Sequence, residues 1–488
     1  MNLSKSKILS YRQCPKRLWL ERYQPQLAET SDEADASFTR GHLVGEVARQ
    51  LYGPGELLFD QGQPDYEAAL GRTRAHLTAR KPQTLFEAAF VADKVYVMAD
   101  VLRLTAAGAA ITEVKSSGEV KDYHLEDCAT QRHVIERAGL KVRRMYLAHI
   151  NKHFVYRGDG DYRGLLTQVN IAARLKPLQE LAPKWIAGAK RTLNADKPDI
   201  APGPQCTEPF ECPFHAHCNK AADGYPVGIL PRISRKRIED FAARGITDLR
   251  QIPNGELRNE AHERIRVASV RGKAVFDRGA AAPLAGLPYP RFYLDFETIN
   301  PAVPVWAGTR PFQQIPFQWS LHIQTGAGRR LEHAEFLDLS GADPARAAMT
   351  QLLAAVGRKG PVFVYSDFEA RVLRDMSMLL PDLAPRLEAL RKRLVDLLPI
   401  TKVAYYHPGM MGSWSIKAVL PTVAPDLSYE NLGEVQDGGG AQRAFEEATD
   451  PATTPARRAE LRSALLRYCG QDSLAMVRLA QFLQRRAR

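Results

Sequence analysis

No stretch of this sequence reaches the roughly 18 consecutive apolar residues of a membrane span. The first residues, MNLSKSKILSYRQCPKRLWL, also lack the apolar core of about 7–15 residues found in a secretory signal. A cytoplasmic protein without a membrane partner is therefore expected. Cysteine is scarce too: six in 488 residues do not make the disulfide framework of a small secreted domain. Cysteines kept reduced point to metal where they cluster, and three do, Cys206, Cys212 and Cys218. No internal repeat is visible, and the one low-complexity patch is Gly438–Gly440. What is present is ordinary globular composition, 45% hydrophobic and 25% charged, which excludes disordered and collagen-like chains. At about 150 residues per domain the length fits two to four domains. Lys+Arg 67 against Asp+Glu 55 leaves a net charge of +12, which suits a polyanionic partner without identifying one.

Hydrophobic periodicity predicts helices around Lys7–Glu21, Phe38–Leu51 and Leu125–Ala138, and strands at Leu85–Phe90, Val95–Leu104, Ala110–Lys115 and Val142–Ile150. That is an α/β layer. Short helices follow at Ser234–Arg244 and Glu256–Lys273, then the Ala/Gly/Pro-rich segment Gly279–Pro290, which reads as a linker. A second α/β pattern begins at Arg291 with the β-rich runs FYLDFE, FQWSLHI and PVFVYS. Helices are expected at Ala345–Val356 and Glu369–Leu379, and a last one over Ala456–Arg486.

The first chemical constellation is Asp100 with Glu113 and Lys115, in MADVLRLTAAGAAITEVKSS. Side chains alternate along a strand, so Glu113 and Lys115 share a face, and a hairpin brings Asp100 beside them. Two carboxylates bind a hard cation such as Mg²⁺ or Mn²⁺, and a lysine orients a water or steadies developing phosphate charge. A surface hairpin with a satisfied salt bridge explains the same three residues. With GHLVGEVA ahead of it and Gln131 on the next helix, the segment resembles the RecB-type nucleases of the PD-(D/E)XK superfamily, which have a restriction-endonuclease-like fold. The resemblance implies Asp100 and Glu113 as metal ligands, Lys115 as the catalytic lysine and Glu46 as an extra metal ligand. It makes Gln131 the start of the family's Q-x-x-x-Y motif, with Ile135 in the tyrosine's place. A solvated helix residue is the alternative for Glu46.

Cys14 in QCPKRLWL and the run QCTEPFECPFHAHC extend this likeness. They resemble the iron-sulfur subset of RecB-type nucleases, which includes the CRISPR-associated adaptation exonucleases and the nuclease domain of AddB. The resemblance implies that Cys14, Cys206, Cys212 and Cys218 hold a [4Fe-4S] cluster that ties the two ends of the domain together. Zn²⁺ on four cysteines has the same ligand count, and unligated thiols are a third possibility. Cys128 and Cys469 are expected as small buried side chains.

A third constellation lies downstream. LDFET sets Asp295 and Glu297 on one strand face, and RYCGQDSLAMV sets Tyr468 one helical turn before Asp472. VYSDFEARVL between them offers Glu369, with Asp367 as a rival, and Asp396 in VDLL either supports the site or caps a strand end. This order resembles the DEDDy exonucleases, and residues 291–485 resemble the RNase H-like domain found fused to RecB-type nucleases. The resemblance implies 3′-5′ exonuclease chemistry with two metal ions about 3.5–4 Å apart and Tyr468 positioning a water.

The expectation is thus a multidomain α/β chain. Residues 1–222 are a RecB-like PD-(D/E)XK nuclease domain with its cysteine-ligated cluster, and residues 289–488 an RNase H-like, DEDDy-type domain. Residues 223–288 form a helical connector loosely like a helix-hairpin-helix module, whose Arg235, Lys236, Arg237 and Arg244 offer charge to phosphates or simply form a solvated face. Two active sites would hydrolyse phosphodiester bonds in repair or anti-phage defence, with DNA favoured over RNA by resemblance alone. The alternatives are one catalytically silent domain acting as a clamp for nucleic-acid ends, the C-terminal one being favoured for that role because Glu369 stands where the family's second motif has Asp, or a non-enzymatic adaptor that binds nucleic acid and a partner.

Overall fold

The computed structural model describes residues 3–29, 32–60, 64–79, 81–106, 108–219, 224–429 and 432–487; the side chains of residues 32–38 and 487 lie outside that description. It is a mixed α/β protein with several sheets. The chain divides into two compact units: Met1–Lys220 with Pro301–Phe312, and Ala221–Asn300 with Gln313–Arg488. The expected boundary at 222/223 falls on residues outside the description. Among the described residues no helix is long and apolar enough to cross a membrane.

The first unit is built on seven strands: β1 (Leu3–Ser4), β2 (Glu56–Leu57), β3 (Gln83–Ala92), β4 (Val95–Thr105), β5 (Gly108–Lys115), β6 (Val142–Ile150) and β7 (Leu166–Asn170). They line up in the order β2-β3-β4-β5-β6-β7, with β1 parallel to the start of β4. Strands β3, β4 and β5 are antiparallel neighbours, whereas β5 and β6 run parallel and need a crossover, which the helix Asp122–Arg137 supplies. That helix buries Leu125, Cys128, Ala129 and Ile135 in the core of this sheet.

The single helix expected over Lys7–Glu21 is two helices, Lys5–Gln13 and Pro15–Tyr23. Pro15 has no N–H to continue the ladder and pushes the residue before it out of the helical region, so Cys14 is extended (φ −160, ψ 117) and starts the second helix as its N-cap.

The second unit holds β8 (Val275–Phe276), β9 (Arg291–Ile299), β10 (Ile315–Gln324), β11 (Glu332–Leu337), β12 (Val362–Val364), β13 (Leu394–Asp396) and β14 (Tyr405–Tyr406). Five of them form a sheet in the order β11-β10-β9-β12-β13; β14 pairs with β8. Strands β9 to β11 are antiparallel, and β9, β12 and β13 are parallel. Alternation along β10 explains the layers. Gln318 donates to the Leu465 carbonyl of the long helix Pro455–Ala487, while Trp319 donates to Ala348 in the helix Ala345–Val356 on the other face.

Two segments depart from expectation. Gly279–Pro290 is no free linker: Leu284 and the neighbouring Ala281 are buried in the same core as Phe241, Tyr293, Phe363 and Met476, because the stretch contributes apolar side chains at helical spacing. The loop after β9 enters the first unit, where Ala302 and Val303 are buried with Val44, Val47, Ile150 and Leu165. Tyr156 anchors the loop through its N–H to Thr309 and its carbonyl to the Gly308 N–H, and the Phe312 N–H closes it on the Pro301 carbonyl.

Gly412 shows how tightly the helical segment is built into the second unit. Its φ is +81, and a Cβ there would sit 1.9 Å from the Ile229 carbonyl oxygen. Gly412→Ala is expected to destabilise this unit by about 2–3 kcal/mol, read from urea unfolding through the fluorescence of nearby Trp414.

Candidate active sites

In the first unit the hairpin register pairs Val101 with Thr112, so Asp100 stands across from Glu113 one step further on. The Asp100 carboxylate accepts the Val114 N–H at 2.6 Å. Lys115 Nζ lies 2.9 Å from Glu113 Oε1 and 2.6 Å from Asp127 Oδ2. Gln131, one helical turn after Asp127, donates through Nε2 to Glu113 Oε2 at 2.6 Å and to the Met98 carbonyl at 2.7 Å. Asp100, Glu113, Lys115 and Gln131 are thus brought together. Glu46 is exposed on its helix beside His42 (3.4 Å) and Arg49 (3.9 Å); among the described residues no hydrogen bond or ion pair joins it to Asp100 or Glu113.

Three residues of this cluster escaped the sequence reading. Lys5, at the start of the first helix, places Nζ 2.5 Å from Glu113 Oε1 and 3.5 Å from Asp127. Asp127 completes the lysine bridge. Glu87 interrupts the apolar run LFEAAF at a position facing Asp100 in the β3–β4 register, with a positive φ of 53; a lone carboxylate in an apolar strand was the available signal.

Burial and Glu113 push the Asp100 carboxyl up to about 7, and burial and Asp100 push Glu87 up to about 8. Glu113 also loses water, yet Lys115 and Lys5 hold it well below the usual carboxylate range.

The four cysteines line one cavity in this unit, with Lys16, Arg17, Leu20 and Phe214 around them. None forms a disulfide. Gln13 ties the helix before Cys14 to the distal segment by donating to the Gln205 and Phe210 carbonyls at 2.8 and 2.6 Å, and the Cys212 N–H reaches the Cys206 carbonyl at 2.8 Å. Leu20, buried with Cys206, Cys212 and Phe214, is a core anchor.

In the second unit Asp295 and Glu297 face the long helix from β9, and Asp472 and Glu369 approach from that helix and from Phe368–Leu379. Residues 292–415 match a sequence family described as a domain of unknown function (DUF2779). No curated protein and no solved structure matches the chain. The match contains Asp295, Glu297 and Glu369; Tyr468 and Asp472 lie beyond it.

Glu369 is 3% exposed and its Oε2 has no hydrogen-bond partner, whereas Asp367 points outward to Arg371. Asp396 uses one oxygen to accept the N–H groups of Ser366 and Leu398, a cap that holds Ser366 at φ 119 just before Glu369. Asp472 is supported by the hydroxyls of Tyr468, four residues earlier, and of Tyr429, which the sequence reading missed because no local motif marks it. Lys417, also missed, lies 5.6 and 5.3 Å above the rings of Tyr429 and Tyr468. Ser473 fixes the helix register: its Oγ lies 2.6 Å from Ser320 Oγ and 2.8 Å from His322 Nδ1. Cys469 is buried as expected, but its Sγ lies 3.3 Å from Asp295 Oδ2.

Burial, with repulsion from neighbouring acids, takes Asp295 and Glu297 well above their ordinary values; Glu369 reaches about 8, mainly through burial, and burial raises Asp472 against the opposing hydrogen bonds of Tyr429 and Tyr468 and the charge of Lys417. Lys417 offsets the charge of Glu297 and Asp472.

A folded-state pKa above the unfolded one means that the folded chain keeps protons the unfolded chain has released, so stability falls as pH rises from the ordinary glutamate range towards about 8. In chelator, Glu369→Gln is expected to flatten this slope and to raise stability near pH 8 by about 1–2 kcal/mol, measured by thermal unfolding across pH.

Proposed function

We propose that the chain is a metal-dependent nuclease that hydrolyses phosphodiester bonds of DNA, with a RecB-like PD-(D/E)XK site in the first unit and a DEDDy-type, RNase H-like 3′-5′ exonuclease site in the second. The observation that carries this reading is the convergence of Asp295, Glu297, Glu369 and Asp472, from one strand and two helices, on a buried spot where Lys417 is the one cation acting on them among the described residues. Oxygen donors of this kind suit Mg²⁺ or Mn²⁺. Bound there, such ions supply Lewis acidity to the phosphodiester and acidify a water. The chain's own groups do the rest. Tyr468 and Tyr429 hold Asp472 in place, and Tyr468 is positioned to orient a water. In the first unit Asp100 and Glu113 are the ligand pair, Lys115 the group that steadies developing charge, and Gln131 the residue that fixes the Glu113 carboxylate.

The four thiols fit a [4Fe-4S] cluster. All four line one cavity, and four thiolates are the ligand count of a cubane cluster. Zn²⁺ on the same four cysteines has an equal ligand count and is the alternative. A cluster interposes its own iron and sulfide. Joining Cys14 to Cys206–Cys218 closes a loop of nearly the whole unit, which makes the role one of stability. Roles in DNA repair or anti-phage defence suit this chemistry.

A second reading has one observation in its favour: Lys5, Lys115 and Gln131 engage both oxygens of Glu113, so the first unit is a silent clamp and the second does the hydrolysis.

Release of nucleotides from end-labelled single- and double-stranded DNA and from RNA, with Mg²⁺ or Mn²⁺, tests both. Lys115→Ala and Asp295→Ala are each expected to remove part of the activity, and the double variant to lose about 100-fold or more. Loss with Asp295→Ala alone supports the second reading, and a double variant with wild-type activity refutes the nuclease assignment. For the cluster, anaerobic purification is expected to give a coloured protein with about four irons per chain, lost in Cys212→Ser. A colourless chain with one zinc would replace iron-sulfur by zinc.

A further inference from the structure

Cys469 sits on the long helix three residues before Asp472, so the two share a helix face. Its Sγ lies 3.3 Å from Asp295 Oδ2 and 3.8 Å from the Asp295 carbonyl. One ligand atom each from Asp295, Glu297 and Cys469 falls within 4.8 Å of the others, which is about the span of two metal–ligand bonds of roughly 2.0–2.3 Å. An independent observation comes from another helix. Glu369 Oε2 is buried without a proton donor, and its charge acts on both Asp295 and Glu297. A buried carboxylate oxygen with nothing to accept from is one that a cation satisfies.

We propose that Cys469 is itself a ligand of the metal centre at Asp295 and Glu297, giving one of its two metal positions a mixed oxygen–sulfur donor set that takes a thiophilic divalent cation such as Zn²⁺, Co²⁺ or Cd²⁺, beside the position that the oxygen donors offer to Mg²⁺ or Mn²⁺. This deepens the nuclease reading and rests on its claim that these carboxylates bind metal. Mg²⁺ asks for oxygen ligands and keeps its waters, whereas a thiolate favours softer ions. On coordination the thiol proton passes to solvent and the sulfur lone pair forms the bond to the metal. In the rival account Cys469 only donates its S–H to Asp295, and a serine would serve as well.

The test is Cd²⁺ titration of the full-length protein, followed by ultraviolet sulfur-to-cadmium charge-transfer absorption and by calorimetry, for wild type, Cys469→Ser and Asp295→Asn. The four cysteines of the first unit are common to all three, so the difference between wild type and Cys469→Ser isolates one sulfur. The expected result is a charge-transfer component in wild type, over that of the four shared cysteines, which both variants lack, and Cd²⁺ affinity at this site about tenfold or more weaker in Cys469→Ser with Mg²⁺ affinity unchanged. Cys469→Ala provides the same comparison should the serine variant not fold. A flat difference spectrum, with Asp295→Asn still weakening Cd²⁺ binding, overturns the role of Cys469 and leaves the metal site standing. Wild-type metal binding by Asp295→Asn overturns the metal site as well.

Discussion

A carboxylate withdrawn from water needs a proton, a counter-charge or several hydrogen-bond donors, and both units are organised around that requirement. In the first unit the answer comes largely from the protein. Lys5, Lys115 and Gln131 converge on Glu113, Asp127 bridges the two lysines, and the charge left over sits on Asp100 and Glu87, whose carboxyls are driven towards neutrality. In the second unit the protein answers only in part. Among the described residues, two tyrosine hydroxyls and Lys417 support Asp472, and one Glu369 oxygen is left with no donor. Two clusters of similar chemistry therefore stand at different distances from electroneutrality.

Such a cluster persists only where the scaffold around it overrides the repulsion. Asp396 caps the turn that delivers Glu369 and holds Ser366 in a conformation non-glycine residues rarely adopt. Ser473, wedged between Ser320 and His322, sets the register of the long helix one residue away from Asp472. The interactions nearest the acids are thus the ones that keep the acids from moving apart, a trade of stability for a prepared site.

The strands and helices that carry the acids were legible because their patterns are local: alternation along β4, β5 and β9, and a long apolar stripe down the helix Pro455–Ala487. Asp295 and Glu297 share a face for the same reason. What was not legible depends on distance in sequence. Lys5 meets Glu113 across 108 positions, and Tyr429 meets Asp472 across 43, with no motif around either newcomer. Glu87 and Cys469 were visible as residues but not as neighbours of acids. The helix break at Cys14 was within reach, since Pro15 announces it. Gly279–Pro290 misled because small residues and prolines read as a tether, whereas Ala281 and Leu284 pack.

The loop that leaves β9 and buries Ala302 and Val303 in the first unit means that the chain enters that unit twice. The family match over 292–415 encloses this excursion, so the stretch that evolution repeats as a sequence module is not a self-contained cassette. A fragment trimmed to those limits would carry an apolar finger with no glove and would lack the long helix that covers its sheet. Grafting either unit onto another protein would therefore require mending two seams rather than one.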